Sequence, residues 1–295
     1  MDHATYQRLY EQLQTYDDVR RLAHAEHLDE EVLFIIHTHR VTRDATRRFY
    51  VVKRQLPRLV GQWKHGRSIL DIATEWKFPP VLMGQQMLGE LGIPRKKVWQ
   101  VFLHPETAPD ERIRTEVDQL LRADMIYSPR GMDLQRERGR RGEERLEAWL
   151  KKHGIGYRTE KDLRGKYAKT PDALLDEPII FYGQKLTWIE SKANFGDEVE
   201  LRKNLRRQLG PYTEIFGEGA VVYWYGYEEG AVSPPGILLW DGPTFEKITP
   251  VVPPPHPERA HAAHPSRDHA RPAHPGTPPS GPGSTHGGSA GAPPP

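Results

Sequence analysis

The chain has no cysteine among its 295 residues. That absence excludes disulfides, zinc–thiolate sites, iron–sulfur clusters and cysteine nucleophiles. Long apolar runs are missing too. No window approaches the ~18 uninterrupted apolar residues that a membrane span needs. The opening stretch, MDHATYQRLYEQLQTYDDVRR, lacks the basic-then-apolar order of a secretory signal. These absences predict a soluble cytoplasmic protein without a membrane partner, extended to the nucleus for a eukaryotic source. Nor does one sign of charge dominate. The net charge is only +2, so an argument for nucleic acid has to rest on local clusters.

Large apolar residues all but vanish after Val252. Such a segment cannot offset the entropy of ordering, and 251–295 is expected to be a disordered Pro/Gly/His-rich tail. Its histidines (His256, His261, His264, His269, His274 and His286) are irregularly spaced, which favours a solvated linker over a metal site.

What is present divides at about residue 130. Residues 1–130 carry apolar residues at helical spacing, with little Gly or Pro before position 79. Two stretches, 18–36 and 68–88, resemble each other at an offset of 50: Val19, Leu22, Ala23 and Leu28 match Ile69, Ile72, Ala73 and Phe78. Each reads as a helix with an inner alanine, a short break and a second helix, the pattern of a helix-turn-helix. In the second copy Phe78-Pro79-Pro80 would supply the turn. Residues 81–91 would be the recognition helix, and Arg95, Lys96 and Lys97 could meet phosphates. An ordinary helical bundle without DNA contact fits the same pattern.

Residues 131–142 (GMDLQRERGRRG) read as a basic, glycine-punctuated joint. Beyond it, 131–250 reads as an α/β domain. A helix at 143–153 precedes β-like runs at 154–159, 172–175, 178–183 and 185–193; a helical segment at 197–216 follows, then runs at 220–227 and 236–242. A central mixed sheet flanked by helices is expected.

The run KLTWIESKA (185–193) carries an acid and a base inside an apolar strand. Alternation puts Glu190 and Lys192 on one face and Ile189 and Ser191 on the other. Asp172 opens the DALL run, and Pro171 fixes its entry. If the two strands are neighbours, Asp172 and Glu190 converge. Two carboxylates and a backbone carbonyl make an all-oxygen site suited to Mg2+ or Mn2+. Lys192 could then steady water or a charged phosphate. Glu143 shares a helix face with Leu146 and Leu150 and should turn toward that site, with Glu144 as the alternative. Asp197 is expected to cap the following helix.

At these residues the chain resembles the PD-(D/E)XK nuclease superfamily, and within it the TPD-motif family. The matching strings are KTPDALL (169–175), WIESKANFGDE (188–198) and FGEGAVVYWYGY (216–227), with RADMIYSPRG (122–131) and EKDLRGK (160–166) fitting the same pattern. The resemblance implies a restriction-endonuclease-like fold and metal-dependent hydrolysis of DNA, plausibly branched. It implies that Asp172 and Glu190 bind the metal, that Lys192 assists and that Glu143 is the helix acid. Gln208 and Tyr212 resemble a Gln-x-x-x-Tyr element of the superfamily, although Pro211 is expected to interrupt their helix. Arg202, Lys203, Arg206 and Arg207 are further candidates for phosphate contact. A homodimer is compatible with resolvase-like cleavage, and a protein partner is neither required nor excluded. A non-catalytic binding module and an RNA substrate stay open as alternatives.

Overall fold

The computed structural model describes residues 1–251 apart from positions 182 and 232. The expectation of a disordered tail at 251–295 therefore lies, after Val251, outside the described residues.

Helices come first: α1 (His3–Gln12), α2 (Tyr16–Glu26), α3 (Glu30–Lys64), α4 (Ile69–Glu75), α5 (Pro80–Glu90), α6 (Arg95–Leu103) and α7 (Glu111–Ala123). Their starts are written in the sequence. Asp2, Thr15, Asp29, Ser68 and Asp110 each accept a hydrogen bond from a backbone N–H of the first turn that follows. Helix α5 instead begins on proline, whose missing N–H costs nothing there.

The long α3 joins two cores. Its first half sets Leu33 and Ile36 against Leu9, Leu13, Val19 and Leu22. Its second half sets Val52, Leu56, Leu59 and Trp63 among Ile72, Met87, Phe102 and Leu120 of the later helices. The break in the first repeat copy is thus followed by a 35-residue helix, not a short one. In the second copy the turn does fall at Phe78–Pro79, between α4 and α5. Residues 81–91, read as a recognition helix, form a core helix instead. Val81, Leu82, Met83, Gly84, Met87 and Leu88 are buried, and exposure falls on Gly89 and Glu90. Such a helix offers a DNA groove an acid and no cation.

The expected joint at 131–142 is helical. Helix α8 runs unbroken over Pro129–Lys152, capped by Ser128. Two of its glycines, Gly131 and Gly142, allow close packing rather than bending. A Cβ on Gly131 would lie 2.3 Å from the Met125 carbonyl oxygen, and one on Gly142 would lie 2.7 Å from the Trp224 ring.

The sheet contains β1 (Tyr157–Arg158), β2 (Ala173–Phe181), β3 (Gln184–Lys192), β4 (Gly219–Tyr223) and β5 (Ile237–Asp241), in that spatial order. The short α9 (Glu160–Leu163) lies between β1 and β2. The first two pairings are antiparallel and the last two parallel, so the expected mixed sheet is present. The two runs expected at 172–175 and 178–183 fall on a single strand, β2 (Ala173–Phe181). Its register with β3 shifts between Leu174 and Ile179, around Pro178, which has no N–H to donate. Between β3 and β4 the chain forms α10 (Glu198–Asn204), a π-helical turn (Leu205–Leu209) and α11 (Gly210–Phe216). Pro211 sits in the first turn of α11 and does not break the segment. A last helix, α12 (Gly242–Lys247), follows β5.

Both sheet faces are covered. On one, Leu146, Trp149 and Leu150 of α8 and Phe245 of α12 pack on Leu175, Ile189, Val222 and Trp240. On the other, Leu201, Leu209 and Tyr212 pack on Leu174, Trp188, Val221 and Tyr223. The carboxyl ends of β3, β4 and β5 lie together at one edge, where open α/β sheets usually place their ligands.

Candidate active site

Asp172 stands immediately before β2. The pairing of Ala173 with Ile189 puts it opposite Glu190 at that edge. The two acids are locked by reciprocal bonds. The Asp172 N–H donates to Glu190 Oε2 at 3.2 Å, and the Ser191 N–H donates to Asp172 Oδ2 at 2.8 Å. Glu190 is only 2% exposed. Burial, and next the Glu190 carboxylate, push Asp172 well above the usual carboxylate range, with Lys192 only partly compensating. Two acids here share one nearby cation.

Lys192 lies on the same face as Glu190, as the strand alternation predicts. Its Nζ donates to Glu190 Oε1 at 2.5 Å and to Gln208 Oε1 at 2.7 Å. Gln208 reaches it from the π-helical turn, whose extra residue shifts the phase of the helix. Tyr212 completes this side. Its hydroxyl bonds to Glu190, and burial followed by Glu190 and Asp172 raises its pKa. The Gln-x-x-x-Tyr pair therefore converges on the acids despite Pro211.

Ser191 faces the other way. Its Oγ accepts from Trp224 Nε1 at 2.8 Å, and Gly142 of α8 packs against the same two side chains. That contact seats α8 across the sheet edge and turns the next residue, Glu143, toward the acids. Glu143 and Asp172 line one pocket of about 170 Å3 with Glu160, Lys161 and Arg164. Burial, then Glu160 and Glu190, raise the Glu143 pKa. Glu144 points elsewhere and pairs with Arg140. Of the two acids left open by the sequence, Glu143 lines the pocket with Asp172 and Glu144 does not.

The remaining cationic candidates are not part of this cluster. Arg95, Lys96 and Lys97 are exposed in the first turn of α6. Arg202 pairs with Glu198, Lys203 with Glu200, and Arg206 is exposed on the π-helical turn.

A second acid center escaped the sequence reading. Asp197 does cap α10, accepting from the Glu200 N–H at 3.0 Å. It is also 1% exposed and receives Tyr6 Oη at 2.5 Å and both of its oxygens meet Arg43 Nη2, at 2.7 and 2.8 Å. His39 Nδ1 lies 3.1 Å away. Phe195 stacks on Tyr6 at 5.5 Å. The loop leaving the Lys192 strand is thereby anchored to α1 and α3. The partners lie more than 150 residues away in sequence, and no local pattern announces them.

Residues 109–241 match the family model described as a protein of unknown function with the TPD sequence motif. Over that stretch the chain is similar to the TPD-motif family. The TPD segment runs from just before α7 to the end of β5 and contains all four of Glu143, Asp172, Glu190 and Lys192. The chain is 35% identical over 184 residues to CDAN1-interacting nuclease 1 of Xenopus laevis, covering 59% of this chain and 61% of that protein. The human protein of that name is 34% identical over 179 residues, covering 57% and 64%. An uncharacterized protein of Acanthamoeba polyphaga mimivirus is 36% identical over 104 residues, covering 33% and 38%. The chain thus spans under two thirds of the length of these relatives. No solved structure matches it.

Proposed function

We propose that the chain is a metal-dependent endonuclease of the PD-(D/E)XK type that hydrolyses phosphodiester bonds in DNA, with branched DNA a preferred form. One observation carries this reading: Asp172 and Glu190 are locked side by side, with Lys192 as their nearby cation, and Asp172 and Glu143 line one pocket beside them. The relatives named as nucleases support it.

The donor set fits a hard divalent ion. Asp172 and Glu190 offer carboxylate oxygens from two adjacent strands, and their mutual repulsion is what a cation relieves. Among the described residues no three acid or imidazole groups form a metal-holding cluster. The fit rests on the Asp172–Glu190 pair alone, and magnesium or manganese can bind through one or two carboxylates with water or phosphate as further ligands. When bound, such an ion polarises the phosphate and lowers the pKa of a coordinated water. Lys192, aimed by Glu190 and Gln208, stabilises charge developing on the phosphate oxygens. Glu143, which lines the same pocket as Asp172, would hold a water from the helix side. Tyr212 fixes the orientation of Glu190.

Among the described residues no helix is long and apolar enough to cross a membrane. The relatives' name states an interaction with CDAN1; for this chain a protein partner is proposed by extension. A homodimer would bring two sites to the two strands of a junction.

The test incubates wild type, Asp172→Ala and Lys192→Ala with labelled linear, flap and four-way DNA and with RNA, adding magnesium or manganese. Cleavage by wild type alone is the expected result. Equal residual cleavage by all three proteins would overturn the assignment. Salt-dependent binding without cleavage under either ion would favour a binding module.

A further inference from the structure

Helix α3 carries a row of cations that the site does not use. Between Arg40 and Lys64 it has eight Lys and Arg and a single Asp. At 100° per residue, Arg43, Arg47, Tyr50, Arg54 and Arg58 fall on one stripe. The apolar residues Ala45, Val52, Leu56, Leu59 and Trp63 fall on the opposite side and are buried in the helical core. The stripe is therefore held outward by packing behind it.

Its two ends differ. Arg43 is engaged, gripping Asp197 in the loop that leaves the Lys192 strand. One turn on, the stripe opens to solvent: Arg47, Tyr50, Arg54 and Arg58 are exposed, Tyr50 at 62%. Among the described residues Arg54 and Arg58 make no ion pair, and Arg47 has only a 3.6 Å contact with Asp44. From Arg43 to Arg58 the row spans roughly 22 Å, at ~1.5 Å per residue. It starts beside the catalytic loop and leads away from it.

We infer that this stripe is a track for the phosphate backbone of a nucleic-acid duplex, holding one arm of the substrate while the sheet edge addresses the strand. The occupant follows from charge complementarity. Guanidinium forks match phosphate oxygens, and an exposed Tyr between them can hydrogen-bond to phosphate or sugar. A row of exposed cations that begins beside the loop leaving the Lys192 strand suits an extended anion better than a single small one. The inference rests on nucleic acid being the substrate, but not on cleavage.

The test is anisotropy titration of the full chain against a labelled 20-base-pair duplex in EDTA, over a salt series. The variant R47Q/R54Q/R58Q is compared with R21Q/R114Q/R136Q, which removes equal charge from exposed, paired arginines elsewhere. Each phosphate contact contributes about 0.9 to the slope of log affinity against log salt. The stripe variant should lower that slope by about 2.7 and the affinity at least tenfold, while the control stays near wild type. Should the triple variant fail to fold, R54Q and R58Q singly should each lower the slope by about 0.9. An unchanged slope, or equal loss in the control, overturns the inference. So does loss of binding to phosphatidylserine vesicles with duplex binding intact, which assigns the stripe to a lipid surface. Asp172→Ala should bind the duplex like wild type. A reduced slope in the stripe variant without cleavage by any protein retains the track and removes the enzyme. Cleavage that depends on Asp172, with the stripe slope unchanged, does the reverse.

Discussion

Asp172 with Glu190 and Asp197 are two buried acid centers joined by one short loop, and they are built in opposite ways. Asp197 is saturated: Tyr6, His39, Arg43 and the Glu200 N–H converge on a single carboxylate. Burial pushes it up, but the His39 and Arg43 hydrogen bonds outweigh that and hold it below the usual range. Asp172 and Glu190 are in deficit, with two acids against Lys192, and Asp172 is driven up. A saturated acid is a fastener. An acid pair short of positive charge is, in the function proposed above, where a cation would bind.

The largest effects should come from breaking the deficient center. Asp172→Asn should reduce cleavage on the order of 10³-fold, measured in single-turnover assays with magnesium. Because the ionised Asp172 is disfavoured by burial beside Glu190, its melting temperature in metal-free buffer should equal or exceed that of wild type. A marked loss of stability would mean that the acid pair serves the fold. The same change at the other center should behave oppositely. Asp197→Asn leaves Arg43 only its longer 3.7 Å contact with Glu200 in a largely buried site, and should cost roughly 3 kcal/mol in urea unfolding. A cost under ~1 kcal/mol would show that the contact is as weak as a surface pair.

A smaller effect separates two glycines of α8. Gly142 lets the helix close on Trp224 and Ser191, whereas a Cβ on Gly139 would meet nothing within 4 Å. Gly142→Ala should cost about 1–3 kcal/mol by overpacking and slow cleavage by displacing Glu143. Gly139→Ala should be neutral or stabilising by up to about 1 kcal/mol. Equal behaviour of the two, followed by thermal melts and cleavage rates, would remove Gly142 as the device that seats Glu143.

How much of this was legible depended on sequence distance. Glu190 and Lys192 could be read because strand alternation is a two-residue rule, and Asp172 because it opens the neighbouring strand. The joint at 131–142 was misread because glycine signals both turns and close packing, and only the Trp224 ring, over eighty residues on, distinguishes them. The strand β2 was split because Pro178 and the register shift look like an end. Pro211 looked like a break because the π-helical turn before it leaves no local mark. The Asp197 center was invisible beyond its cap, since its donors come from α1 and α3. The α3 stripe was present in the sequence, but its outward orientation becomes evident only once the opposite face is seen packed.

The finest distinction between the two centers is their response to acid. An Asp whose folded pKa lies below its unfolded value, near 3.8, stabilises the fold fully above that unfolded value. The contribution fades as the unfolded carboxylate takes up protons that the folded one still resists, so it declines as pH falls below about 4. The stability difference between wild type and Asp197→Asn should therefore be flat from about pH 7 to 5 and shrink steadily toward pH 2, read from urea unfolding at each pH. A difference that instead grew on acidification would reverse the sign assigned to Asp197 and with it the contrast with Asp172. Because Tyr6 and Arg43 bring α1 and α3 to the loop after Lys192, the first structure to loosen in acid should be that joint, with the sheet following.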